Sequence, residues 1–392
     1  MADLQEELNT TAEAGALDPP LVPPDTEPDP AHEPEPEPAP GTEPRPEPGR
    51  CAEPADPAER ARALLAAHPV ADGYSGLPWA LRQLAWYDFE TGDSVLESDV
   101  PRLRGGRVGA QFWSVHVPEG PATDGVDRTI GATLDQIDLV KQVVAAHPEA
   151  LRMARNASEA ADARNCGRIA TLIGPARGTA LGDSLGTLRM LHSLGLSVVT
   201  LSGTTWAGAG GLTPFGEEVV REMNRLGVLA DLSGAAEVTA RRVLAVSKAP
   251  VVFMRSGARA LNDHPANLTD EMLAAVGAAK GLCLVPLTAE RTGPSVREVA
   301  DHLDHVRRVA GPECVGISGT YDTYEAHPHG LPDPSGYPRL IAELIERGWP
   351  EAELALLTWG NVQRALRGAD FTARAARQRR PASTATRDSL DG

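Results

Sequence analysis

The chain has 392 residues, enough for one large barrel or for two to three smaller domains. Its formal net charge is -17, yet residues 1–57 hold 15 acidic and 2 basic side chains, so the acidity belongs to one end and says nothing about a substrate of the rest. No basic patch interleaved with aromatics occurs, which argues against nucleic-acid binding, and no run of about 18 apolar residues occurs, which argues against a membrane span.

The first residues lack the basic and apolar blocks of a secretory leader, so a cytoplasmic location is expected. Residues 18–56 are mostly Pro, Glu, Asp and Ala, with runs such as Glu33-Pro34-Glu35-Pro36. Proline removes backbone donors and like charges repel, so residues 1–57 are expected to be a disordered acidic arm of polyproline-II character. Short β-branched runs then alternate with longer amphipathic stretches, the pattern of a parallel sheet with helical crossovers. The expected strands are 70–72, 108–115, 169–173, 198–201, 228–232, 251–254, 282–286 and 315–318. Helices are expected between them, as at 213–226, where Phe215, Val219, Val220, Met223 and Leu226 fall at helical spacing. Further helices are expected at 235–246, 269–279, 296–309 and 337–347. Eight strand-then-helix units over 58–370 predict an α/β fold, a (β/α)8 TIM-like barrel, with an open doubly wound sheet as the alternative. Residues 371–392, rich in Arg, Ser and Thr, read as a second disordered tail. Cys51, Cys166, Cys283 and Cys314 are widely spaced and form no C-x-x-C pair, which fits free thiols.

Chemistry in such a barrel sits where the strands end. There, Asp72-Gly73-Tyr74-Ser75-Gly76-Leu77-Pro78-Trp79 resembles the D-G-H-N-D-L-P-W opening of the membrane (renal-type) dipeptidase family. The resemblance continues through Gly109-Ala110-Gln111-Phe112-Trp113-Ser114, Gly211-Leu212-Thr213-Pro214-Phe215-Gly216 and Asn224-Arg225-Leu226-Gly227-Val228 to Trp359-Gly360-Asn361, covering about residues 60–368. It implies a barrel of the metallo-dependent hydrolase type and a binuclear zinc peptidase that cleaves dipeptides with a metal-bridging hydroxide.

The same resemblance marks eight changed positions. Tyr74 stands where the family has its first-strand His, Gly76 at its partner Asp, Ala176 at the metal-bridging Glu, and Gly234 and Arg255 at two further ligand histidines. Gly203 replaces a His near the scissile bond, Ala266 the substrate-binding Arg, and Thr320 the acid/base Asp. Glycine and alanine offer no donor atom and an arginine stays protonated, so neither a metal site nor a catalytic residue is expected, and no cofactor, although the family would bring zinc. The candidate pocket residues are Asp72, Tyr74, Arg177, Arg255 and Asp322. The two arginines are expected either to replace the metals' charge by pairing with Asp72 or Asp322, or to present a fork to a small acidic or peptide-like ligand. No G-x-S-x-G elbow accompanies Ser75, Ser233, Ser256 or Thr320, and His116 is the nearest spare imidazole. His302 and His305 are expected to be surface or helix-packing histidines.

The sequence thus favours a pseudoenzyme that acts by binding a ligand or a protein, as a homodimer or beside an active relative. The alternatives are a zinc metallodipeptidase, as the resemblance implies, and a metal-independent lyase or isomerase on the same barrel.

Overall fold

A computed structural model describes residues 56–93, 95–118 and 125–392. All eight expected strands form: β1 Val70–Ser75, β2 Val108–Trp113, β3 Ile169–Ile173, β4 Val198–Thr200, β5 Leu229–Asp231, β6 Val252–Phe253, β7 Leu282–Pro286 and β8 Val315–Ser318. Every residue in them is buried, as expected of parallel strands covered by helices outside and packed side chains inside. β1 to β3 pair in parallel, as do β4 to β8. The two sheets meet at two seams. At one, Ser197 N–H donates to Ile173 O; at the other, Thr320 N–H donates to Tyr74 O and Gly76 N–H to Tyr321 O. Single bridges, Ile173 with Leu196 and Ser75 with Tyr321, stitch the (β/α)8 barrel there.

The strand Leu151–Ala154, paired with β3, was not expected, because Leu-Arg-Met-Ala contains no β-branched residue. The helices follow the sequence closely. In Pro214–Leu226, Thr213 caps the first turn by accepting from Gly216 N–H, proline opens the helix, and Gly227 ends it at φ 90°, a left-handed turn that glycine adopts without a Cβ clash. Its apolar stripe faces the core. Among the described residues no helix is long and apolar enough to cross a membrane.

One expectation is corrected. Residues 371–392 are ordered, and the last long helix runs Asn361–Arg379 before Arg387–Asp391 forms a short helix. Arg380 pairs with Glu218 (2.5 Å) and Arg387 with Asp183 (2.6 Å). Asp391 accepts from Phe215 N–H and the Thr213 hydroxyl, both at 2.8 Å, so a carboxylate sits on the N-terminus of Pro214–Leu226, where the helix dipole favours it. Composition suggested fraying, but these partners lie far away in sequence. The expected N-terminal arm lies outside the described residues, save that Asp56 caps a helix beginning at Pro57.

Deleting residues 381–392 is expected to lower stability by about 1–2 kcal/mol, measured by thermal melting. An unchanged melting curve would show that this segment only decorates the barrel.

Candidate functional site

The loop after β8 bends over the end of β1. Thr320, Asp322 and Tyr324 all take left-handed backbone (φ 56°, 59° and 64°), a conformation non-glycine residues hold only when their surroundings enforce it. Here two cross-seam hydrogen bonds and a side-chain clamp do so. Glu97 accepts from Asp322 N–H (2.5 Å) and from His327 Nε2 (3.1 Å). The Asp322 carboxylate accepts from Glu97 N–H (2.8 Å) and Ser98 N–H (3.1 Å). Burial pushes the Asp322 carboxyl up to about 6. Thr320 turns its hydroxyl to Gly319 O. The loop consequently fills the space beside Gly76: a Cβ there would lie 2.4 Å from Asp322 O and 2.9 Å from its carbonyl carbon.

Next to this seam is a cluster of cations. The Arg255 guanidinium lies 4.2 Å above the Tyr74 ring and 3.9 Å from Glu325 Oε1, a geometry suited to cation–π attraction. Arg291 donates to Arg255 O (3.0 Å) and approaches the same Glu325 oxygen at 3.4 Å. Burial lowers the Arg291 pKa, with Glu325 opposing and Arg255 adding to the shift. His116 packs edge-on to Tyr74. Although the residue is partly exposed, its Nε2 is enclosed without a hydrogen-bond partner. Burial, then the charges of Arg255 and Arg177, hold its pKa well below the usual 6.5.

The expected partners of these arginines differ from those found. Asp72 is fully buried and takes its hydrogen bonds from Gln111 Nε2 (2.9 Å), Gly319 N–H (2.6 Å) and Tyr74 N–H (3.2 Å). Trp113 Nε1 holds the other end of Gln111 at 2.8 Å. Asp72 thus braces β1 against β2 and the β8 loop, and burial raises its pKa. Asp322 clamps the 97–98 segment. The carboxylate that Arg255 reaches is Glu325, and Arg291 shares it; neither residue was singled out in the sequence. Both follow strands β7 and β8, so a search of strand-end loops for charge would have found them. Arg177 follows β3 in the two-residue strand Ala176–Arg177, which pairs with β4.

The opposite side of the mouth is open. Gly203, Gly234 and Ala266 line one cavity of about 390 Å³ between the loops after β4, β5 and β6. The hydroxyls behave mostly as local caps: Ser75 accepts from Leu77 N–H (3.1 Å), and Ser233 donates to Asp231 (2.6 Å) and accepts from Arg255 N–H (3.1 Å). The Ser256 hydroxyl is enclosed without a partner. His302 Nδ1 accepts from Ala258 N–H (2.9 Å), and burial brings its pKa to about 4. His305 meets Asp270 at 2.6 Å, so both histidines tie helix Val296–Ala310 to its neighbours. Among the described residues, no three His, Cys, Asp or Glu side chains converge as a metal cluster.

The family model for membrane dipeptidases (peptidase family M19) matches residues 58–380. Dipeptidase 3 of Mus musculus is 38% identical over 335 residues, 79% of this chain and 66% of the relative. Dipeptidase 3 of Homo sapiens is 37% identical over 350 residues, 82% of this chain and 69% of its own. The chain therefore spans about two thirds of the length of these relatives. A metallo peptidase from Rhodobacter sphaeroides, liganded with a phosphinate mimic of the dipeptide L-Ala-D-Ala, superposes with a TM-score of 0.70 at 25% identity, covering 77% of this chain and 99% of that one. The probable dipeptidase PvdM from Pseudomonas aeruginosa superposes with a TM-score of 0.73 at 20% identity, covering 82% and 100%; this last likeness concerns the fold alone.

Two outcomes test the geometry. Gly76→Asp, which introduces the residue that the resemblance implies there, is expected to cost about 1–3 kcal/mol through overpacking against the β8 loop, measured by urea unfolding; a neutral substitution would mean that the loop moves aside freely. In an NMR titration His116 is expected to stay neutral at pH 6.5, where an ordinary imidazole is half protonated. Its pKa is expected to rise in Arg255→Ala, and an unchanged value would remove the arginine as a cause.

Proposed function

The chain belongs to the membrane dipeptidase family, and from that membership we propose that it is a catalytically silent member whose barrel mouth binds an anion instead of metals. The observation that carries this reading is the filling of Gly76's side-chain space by the Asp322 backbone, 2.4 Å from where a Cβ would stand. A zinc pair needs several imidazoles and a bridging carboxylate, and the groups at the matched positions do not suit it. Tyr74 lies under a guanidinium, Ala176 offers no donor, and Arg255 cannot ligate.

Charge supports the same reading. Two unit charges about 4 Å apart interact by about 4 kcal/mol at an effective dielectric of 20, so a dication beside Arg255 meets a repulsion of about 8 kcal/mol. Without a metal to acidify it, a bound water returns from a pKa near 7 toward about 15.7, and the family's hydroxide nucleophile is lost. His116 Nε2 has no hydrogen-bond partner, so no nucleophile is paired with it there.

What replaces the chemistry is positive charge. Arg177, Arg255 and Arg291 act on the same small region, and Glu325 is the carboxylate within reach of two of them. Planar guanidiniums suit carboxylate or phosphate oxygens, and the enclosed, neutral His116 Nε2 can add a hydrogen bond. The proposed ligand is a small anion, or an acidic side chain or terminus of a peptide.

Two measurements test the proposal. The zinc-supplemented protein is expected to leave Ala-Ala and Leu-Ala dipeptides uncleaved over hours; turnover abolished by a chelator would overturn the silent reading. Inorganic phosphate or acetate is expected to raise the melting temperature of the wild type, by about 2.7 kcal/mol of stabilisation at 100 times Kd, but not that of Arg255→Ala. Equal shifts in both proteins would refute the anion site.

A further inference from the structure

The mouth has lost its family side chains in two physically different ways. At Gly76 the chain has closed in. At Gly203 it has not: a Cβ there would meet nothing within 4 Å, and one at Gly234 only the Ser202 hydroxyl at 3.7 Å. Both glycines are held at positive φ (83° and 71°), which strains any larger residue, so the backbone itself keeps this space clear. The resulting cavity of about 390 Å³ falls within the range of small-molecule sites, where apolar walls carry a few polar anchors.

Its walls are mixed: Leu232, Phe253 and Met272 form an apolar part, and Ser202, Asn267 and Thr269 a polar one. Two charged residues line it. Glu237 is already bound by Arg241 at 2.6 and 2.8 Å. Arg259 is not so satisfied. One terminal nitrogen donates to Pro265 O (2.6 Å), its Nε is enclosed with no hydrogen-bond partner, and its nearest carboxylate, on the largely exposed Asp263, stands at 4.0 Å. An ion pair so open to water contributes about 0–1 kcal/mol. A chamber with an apolar part and an under-used guanidinium is complementary to a molecule with a charged head and an apolar body.

We infer that this cavity is a second binding site, which takes a small monocarboxylic acid with a compact apolar body, its carboxylate on Arg259 and its body against Leu232, Phe253 and Met272. The site goes beyond the anion site at Arg255, which is not among the cavity's lining residues.

Benzoate is the probe, followed by titration calorimetry and saturation-transfer NMR on the chelator-treated full chain. Saturable binding is expected, with benzamide and benzyl alcohol at least tenfold weaker. Arg259→Gln is expected to weaken benzoate at least tenfold, and Ala266→Leu, which fills the cavity, to abolish it. In Arg255→Ala, which removes the proposed anion site, saturable benzoate binding is expected to remain and to depend on Arg259. Absence of saturable benzoate binding to the wild type, or benzamide binding as well as benzoate, overturns the inference without needing any variant. Loss in Arg255→Ala with retention in Arg259→Gln also overturns it, by assigning the carboxylate to the other half of the mouth.

Discussion

The contact between Gly76 and the backbone of Asp322 governs the mouth of this barrel. A side chain at position 76 and the present course of the β8 loop exclude each other, because the Cβ would stand inside the contact distance of a carbonyl group. The loop is held in that course by hydrogen bonds across the seam and by the Glu97 clamp. Three left-handed residues mark the strain that those bonds offset. Once the loop is there, the first-strand side of the mouth is closed, and Arg255 lies over Tyr74 with Glu325 as its carboxylate.

The two halves of the mouth differ. The half formed by β1 and β8 is packed, and beside it burial and the charges of Arg255 and Arg177 hold the His116 pKa down. The half formed by the loops after β4, β5 and β6 is open, with mixed apolar and polar walls. A scaffold that keeps a rigid sheet can vary its strand-end loops independently, and the deeper network of Asp72, Gln111 and Trp113 keeps the underlying strands in register while the rims change.

Much of this was legible in the sequence, and the exceptions have physical causes. Short β-branched runs revealed all eight barrel strands, and Thr213, Pro214 and Gly227 marked both ends of their helix, because these signals are local. Leu151–Ala154 carries no such signal, since its place depends on pairing with β3. The C-terminal residues seemed to be a tail because composition does not report that Arg387 reaches Asp183 or that Asp391 reaches Phe215. At the site, the resemblance alone marked the eight positions, residue by residue. The pairing was not: the carboxylates at 72 and 322 were expected opposite the arginines, and both face backbone and amide donors instead. The direction a buried carboxylate takes is set by which unsatisfied donors surround it, and those come from Gly319, Glu97 and Ser98, far from it in sequence.

The most direct measurement is the zinc content of the protein, isolated from zinc-supplemented growth and analysed by elemental mass spectrometry, together with anomalous scattering at the zinc edge in crystals. The account predicts less than about 0.1 zinc per chain and no anomalous peak among Tyr74, Ala176, Gly234 and Arg255. Two zinc ions per chain located between those strand ends would contradict it.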